Sequence, residues 1–142
     1  MPTGAASSED VREVVMGLRA LGDDARLAIA ALLDEGAFNV GEVQAVLGLG
    51  QSTVSRHLKI LSDAGLLEVQ RQGRVAWYQW SSALSASQES LRRFVHAHAR
   101  VLDGEARQRL HAVYEARARG ADGFLFKSAS AEDILHAIGC VL

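Results

Sequence analysis

A single cysteine, Cys140, stands among the 142 residues. One thiol excludes an intramolecular disulfide and a zinc site built from four thiolates of one chain. The opening residues, MPTGAASSED, lack the basic-then-apolar order of a secretory leader. No apolar run is long enough to cross a bilayer. Missing too is a Gly-rich phosphate loop between a strand and a helix, the mark of many nucleotide-using enzymes. These absences predict a soluble cytoplasmic protein with no membrane partner, no cofactor and no enzymatic activity. What is present is apolar substance: 49% of the residues are hydrophobic, enough for a core and more than a disordered chain carries. The length suits one domain, or one domain with a dimerisation arm.

Charge is unevenly spread. The net charge is −2, yet residues 1–50 hold a balance of −5, residues 51–78 one of +2 and residues 79–142 one of +1. Local sign decides what a surface patch attracts. The middle of the chain is its basic part, and within it QSTVSRHLKIL from Gln51 to Leu61 has two cations, three hydroxyls and an amide but no acid.

Hydrophobic spacing organises the rest. Val11, Val14, Val15, Leu18 and Leu21 recur at helical spacing and predict a first helix, ended near Gly22. Asp23 or Asp24 caps a second, which Gly36 stops. A short third helix runs from Val40 to Leu47 and closes at Gly48. Gln51 to Leu61 is the fourth, with Val54, Leu58 and Leu61 as its buried stripe. The period then changes. Leu67–Arg71 and Val75–Trp80 read as two strands around the Gln72-Gly73 turn, with Arg71 and Arg74 at a basic tip. From Ser85 a helix presents Leu91, Phe94, Val95, His98, Val101 and Leu102. Asp103-Gly104 breaks it, and another helix runs from Glu105 to about Arg119 with Leu110, Val113 and Tyr114 apolar.

Two short helices across a Gly-containing turn, the second polar on one face, followed by a basic hairpin, describe a winged helix-turn-helix. The expected fold is mainly α with a small β-hairpin. Residues 1–10 read as a flexible N-terminus, 11–82 as the winged domain, 83–119 as a helical dimerisation region and 120–142 as a tail. A helix that reads DNA buries one stripe and offers short polar groups to base edges. Gln51, Ser52, Thr53 and Ser55 suit a major groove, Arg56 reaches guanine or phosphate, and Lys59 serves as a phosphate point charge. Arg71 and Arg74 can follow the backbone or enter a minor groove. His57 stands three residues after Val54 and four before Leu61, so it is either a base contact or a hydrogen-bonded structural histidine.

LGDDARLAIAALL and VGEVQAVLGLGQSTVSRHLKILSDAGLLEVQRQGRVAWYQW resemble the ArsR-type (arsenic-repressor-like) transcriptional regulators, strongly over residues 14–80 and loosely over 81–119. The resemblance implies a homodimeric repressor, dimerising through terminal helices, on a roughly palindromic double-stranded operator, released by an effector that the sequence does not identify. It also implies that Gln51, Ser52, Thr53, Ser55, Arg56 and His57 lie on or beside the DNA-reading face, with Arg71 and Arg74 as wing contacts. Asp24 departs from the family, which often has Pro there; an acid at a helix start is favourable in any case.

Many such regulators sense metals. At the positions of the family's Cys-x-Cys site this chain has Asn39 and Gly41, so that soft-metal site is absent. The second family pattern, on the dimer helix, finds only His96, His98, His111 and Glu115, in the wrong register. These four could assemble a different zinc or nickel site across two chains, although solvated or interface histidines are the simpler reading. Cys140 would sense thiols only with a second subunit's cysteine.

GADGFLFKSASAEDILHAI is similar to the last strand and helix of response-regulator receiver domains, with Lys127 at that family's lysine. No phosphoacceptor or parallel sheet precedes it, so no phosphotransfer is expected. Two other functions stay open. RLHAVYEARARG is similar to the linker in longer chains that join such a regulator to a methyltransferase, which points to a sensor of S-adenosyl compounds. A protein-interaction module on the same scaffold is the other.

Overall fold

The computed structural model describes residues 7–98 and 102–119. Local capping sets most of its helix starts. Ser7 and Asp10 form a capping box for α1 (Ser8–Leu21), and Asp23 caps α2 (Asp24–Leu33) through the Arg26 amide. After strand β1 (Phe38–Asn39), Asn39 and Glu42 make a second capping box for α3 (Val40–Leu47). Gly48, at φ 68°, closes α3 in the left-handed region. Helix α4 (Gln51–Asp63) follows, then β2 (Leu67–Gln72) and β3 (Val75–Trp80). Gly73, at φ 65°, supplies the positive φ that their two-residue turn needs. Ser85 and Gln88 box the start of α5 (Ala86–Ala97), and Asp103 accepts from the Ala106 amide to cap α6 (Gly104–Arg119).

The three strands form one antiparallel sheet in the order β1-β3-β2, with Phe38 opposite Tyr78 and Gln72 opposite Val75. Ile29, Leu32, Leu33, Phe38, Val43, Val46, Val54, Leu58, Leu61, Leu66 and Val95 are buried at less than 2% exposure and join the helices to the sheet. The Trp80 indole donates to the Ala30 carbonyl at 2.9 Å, which ties β3 to α2 inside this core. Glu13 of α1 accepts from the Ser85 and Ser87 hydroxyls at the start of α5. Asp34 at the end of α2 takes Arg92 and His96 of the same helix. This is a winged helix-turn-helix fold, mainly α with a small sheet, as the pattern predicts.

Four expectations need correction. Helix α1 starts at Ser8, inside the segment read as a flexible N-terminus. Its buried face is Gly17, Ala20 and Leu21, not the valine stripe; Val11, Val15 and Leu18 lie outward at 52%, 38% and 53% exposure. The physical reason is close approach: a Cβ at Gly17 would collide with the Leu91 side chain, so small residues turn toward α5. Strand β1 was not expected, because two residues leave no period to read. Helix α5 ends at Ala97 with His98 as its C-cap, so the Leu91-to-Leu102 face is not one helix. Cys140, Lys127 and the receiver-like tail at 120–142 lie outside the described residues, as does Val101.

Candidate nucleic-acid interface

The helix-turn-helix is α3 and α4. The α4 sequence sorts its residues by angle. Val54, Leu58 and Leu61 are fully buried, which fixes which side of the helix meets water. Gln51, Ser52, Ser55, Arg56 and Lys59 are exposed on the opposite side, and Thr53 is half-buried at its edge. Arg71 and Arg74 are exposed at the tip of the β2–β3 hairpin. Arg56, Arg71 and Arg74 have no acidic partner within ion-pair distance among the described residues. Lys59 differs: its Nζ meets Asp63 at 3.1 Å on the exposed face. Such a pair stabilises weakly and yields readily to a phosphate.

One feature of α4 is not evident from its polar string. Its N-cap is Gly50, which makes no side-chain cap hydrogen bond, and its first turn carries no acid. The other five helices among the described residues each have a side-chain cap. The first-turn amides and the positive end of the α4 dipole therefore stay available to an anion. The signal was a glycine where Ser, Thr, Asp or Asn would stand.

His57 is the residue that the structure takes off the exposed face. It is 6% exposed, and its Nδ1 lies 3.2 Å from Arg26 Nη1, with Nε2 4.0 Å from Asp23. Arg26 also donates to the Ala20 carbonyl at 2.6 Å. Arg26 can donate to Nδ1 only while that nitrogen is unprotonated, so the geometry selects the neutral ring. Burial pushes the imidazole below its ordinary value; Asp23 opposes this, while Arg26 and Arg56 reinforce it. Of its two open readings, the structural one fits this placement.

A stability consequence follows, with a definite sign. With the native value below the ordinary 6.5, the unfolded chain takes up a proton first as pH falls. The contribution of His57 is full above about pH 6.5 and is lost as pH falls through the native value. Urea midpoints measured from about pH 7.5 down to 5.5 should therefore decline more steeply in the parent than in His57→Gln. Parallel pH profiles for the two proteins would contradict this role.

The histidine cluster does not assemble in one chain. His96 turns to Asp34 at 2.6 Å, His98 lies against the Phe94 ring at 4.5 Å, and His111 pairs with Glu115 at 3.3 Å along α6. The helix break before Asp103 puts the first two on a different element from the last two. Among the described residues, no three His, Cys, Asp or Glu side chains converge as a metal site does.

A buried ion pair that local pattern does not reveal holds α3 to α6. Arg117 is 3% exposed, and its guanidinium grips Glu42 at 2.7 and 2.6 Å and the Ala37 carbonyl at 2.8 Å. It also lies 4.7 Å from the Phe38 ring centroid and 5.4 Å from that of Trp77. Glu42 accepts at the same time from the Asn39 amide, as part of the α3 cap. The signal was register: Arg117 continues the buried series Ala106, Leu110, Val113 on α6.

An uncapped, acid-free helix start, one polar helix face and a basic hairpin tip thus lie together on a winged helix-turn-helix domain. The comparisons with known proteins agree. Residues 21–70 match a family described as a helix-turn-helix domain. The chain is 35% identical over 74 residues to a biofilm growth-associated repressor of Agrobacterium fabrum, covering 52% of this chain and 63% of that one. It resembles reduced HlyU from Vibrio cholerae with a TM-score of 0.56 at 27% identity, over 63% of this chain and 92% of that one. It also resembles the transcriptional repressor BigR from Xylella fastidiosa with a TM-score of 0.55 at 27% identity, over 68% and 92%. The chain spans a little under two thirds of the length of the curated repressor it matches. No helix among the described residues is long and apolar enough to cross a membrane.

Proposed function

We propose that this chain is a DNA-binding transcriptional regulator of the ArsR type, acting in the cytoplasm as a homodimeric repressor that an effector releases from its operator. The observation that carries the reading is the division of α4, with Val54, Leu58 and Leu61 buried and Gln51, Ser52, Ser55 and Arg56 exposed beside the basic wing. In this reading Gln51, Ser52 and Ser55 meet base edges, with Thr53 at the margin. Arg56 pairs with guanine, and Lys59, Arg71 and Arg74 hold phosphates. The names of the A. fabrum relative and of BigR support repression. Self-association is supported by the outward apolar residues Val11 and Leu18 of α1 and by Phe94 of α5, 60% exposed. Twofold symmetry then requires a roughly palindromic operator with half-sites about 34 Å apart.

Two single variants test the division of roles. Arg56→Ala is expected to cost about 1–3 kcal/mol of operator binding and to relax the preference at one base pair. Lys59→Ala is expected to weaken all duplexes equally and to lower the salt slope by about one. Fluorescence anisotropy on matched and mismatched duplexes reads both. Equal losses on every sequence for Arg56→Ala would remove it from base reading.

A further inference from the structure

We infer that the cleft between α3, α6 and the wing binds a small amphipathic anion, an apolar carboxylate in chemical class. The cleft has a volume of about 790 Å³, within the usual range for small-molecule sites. Val40, Ala45, Val75, Val113 and Ala116 form its apolar wall. Its charged groups that lack a close carboxylate are cations. Arg74 and Arg109 line it. Arg74 has no acidic neighbour within ion-pair distance among the described residues. Arg109 uses Nε on the Val46 carbonyl at 2.7 Å and has only the exposed Glu105 at 3.6 Å. Asn39 also lines the cleft at 6% exposure; its Oδ1 serves the Glu42 amide, and its Nδ2 is buried without a hydrogen-bond partner. The one carboxylate in the lining, Glu42, is already saturated by Arg117 and the Asn39 amide. Two guanidinium groups and an unpartnered amide donor, with no free carboxylate, select an acceptor-rich ligand, and the apolar wall selects one with a hydrocarbon or aromatic body.

The location gives binding a consequence, which rests on the proposed DNA reading. Gln51 and Arg74 line the cleft and also belong to the proposed DNA face. A carboxylate that recruits Arg74 withdraws a wing cation from phosphate, so ligand and DNA compete.

The test uses the full chain and 1-naphthoate, with uncharged 1-naphthalenemethanol as control. In titrations followed by amide NMR, naphthoate should bind saturably at one site per chain, with the largest shifts at Val40, Ala45 and Ala112. The alcohol, and naphthoate on Arg74→Gln/Arg109→Gln, should bind at least about tenfold more weakly. Ala112→Phe, an exposed position on the cleft rim, should abolish binding while leaving the amide spectrum otherwise folded. No saturable binding, equal binding of the alcohol, or binding indifferent to these variants overturns the site. So does a cleft closed by a second copy of the chain, seen as naphthoate binding that is lost as the protein associates. A duplex added to the same samples tests the consequence. Naphthoate should raise the apparent Kd for DNA in the parent and not in Ala112→Phe, and an unchanged Kd overturns competition. A protein that binds no DNA contradicts the proposed function, whereas the naphthoate titration stands or falls without DNA.

Discussion

Arg117→Ala is expected to destabilise the protein by about 3–5 kcal/mol, because it leaves the Glu42 carboxylate buried without its counter-charge. Glu42 is 4% exposed and Arg117 3%, so water cannot replace the lost partner without opening the α3–α6 contact. The guanidinium also fills space between Phe38, Trp77 and Tyr114, with ring centroids 4.7, 5.4 and 5.9 Å away. Truncation therefore loses packing and cation–π attraction as well as charge. Tyr114 belongs to the same apolar setting: burial, with Glu35 nearby, pushes its phenol up to about 12. Arg117→Lys should recover only part of the loss, since an ammonium cannot grip both carboxylate oxygens and the Ala37 carbonyl in one plane. Glu42→Gln keeps an acceptor for the Asn39 amide and removes the charge. Urea denaturation of the two single variants and the double variant should show strong coupling between the sites. Additive losses would mean that the pair does not act as a unit.

Removing Arg56, Arg71 and Arg74 together, each to Ala, is expected to weaken DNA binding by roughly a hundredfold or more while leaving stability within about 0.5 kcal/mol. All three are exposed and lack an acidic partner among the described residues, so their loss opens no cavity and strands no charge. With Arg71 and Arg74 on phosphates and Arg56 on guanine, the slope of log affinity against log salt should fall by nearly two and the base preference should relax. A fall of nearly three with the base preference intact would move Arg56 to a phosphate. A protein-interaction module on this scaffold would keep its partner after the triple change, with no DNA binding to lose. Anisotropy titrations at several salt concentrations, beside a denaturation curve of the same sample, separate these outcomes.

The fold was legible where residue type and period agreed. Val54, Leu58 and Leu61 announced the buried side of α4, Gln72-Gly73 announced the hairpin, and Asp23 and Ser85 announced helix starts. Legibility failed where tertiary contact overrides local pattern. The valines of α1 look like a core stripe, yet the helix turns Gly17, Ala20 and Leu21 inward, and at Gly17 the Leu91 side chain leaves no room for a Cβ. His57 could not be placed from spacing alone; Arg26, thirty-one positions away, gives its ring a buried partner. Arg117 reads as surface charge until Glu42 is set opposite it, and no local rule pairs residues from α3 and α6. Of the proposed interface, the helix face and hairpin tip were visible in the sequence. The uncapped start of α4 has a local signal in Gly50, whereas the cleft beside it appears only once the elements are brought together.

The central claim is sequence-specific DNA binding by the α4 face and wing. Its most direct measurement is selection of bound duplexes from a random-sequence pool at about 150 mM salt, followed by competition of the selected duplex against a scrambled one. The expected result is an enriched, twofold-symmetric motif, bound at least about a thousandfold tighter than the scramble. No enrichment, or equal affinity for both duplexes, would contradict it.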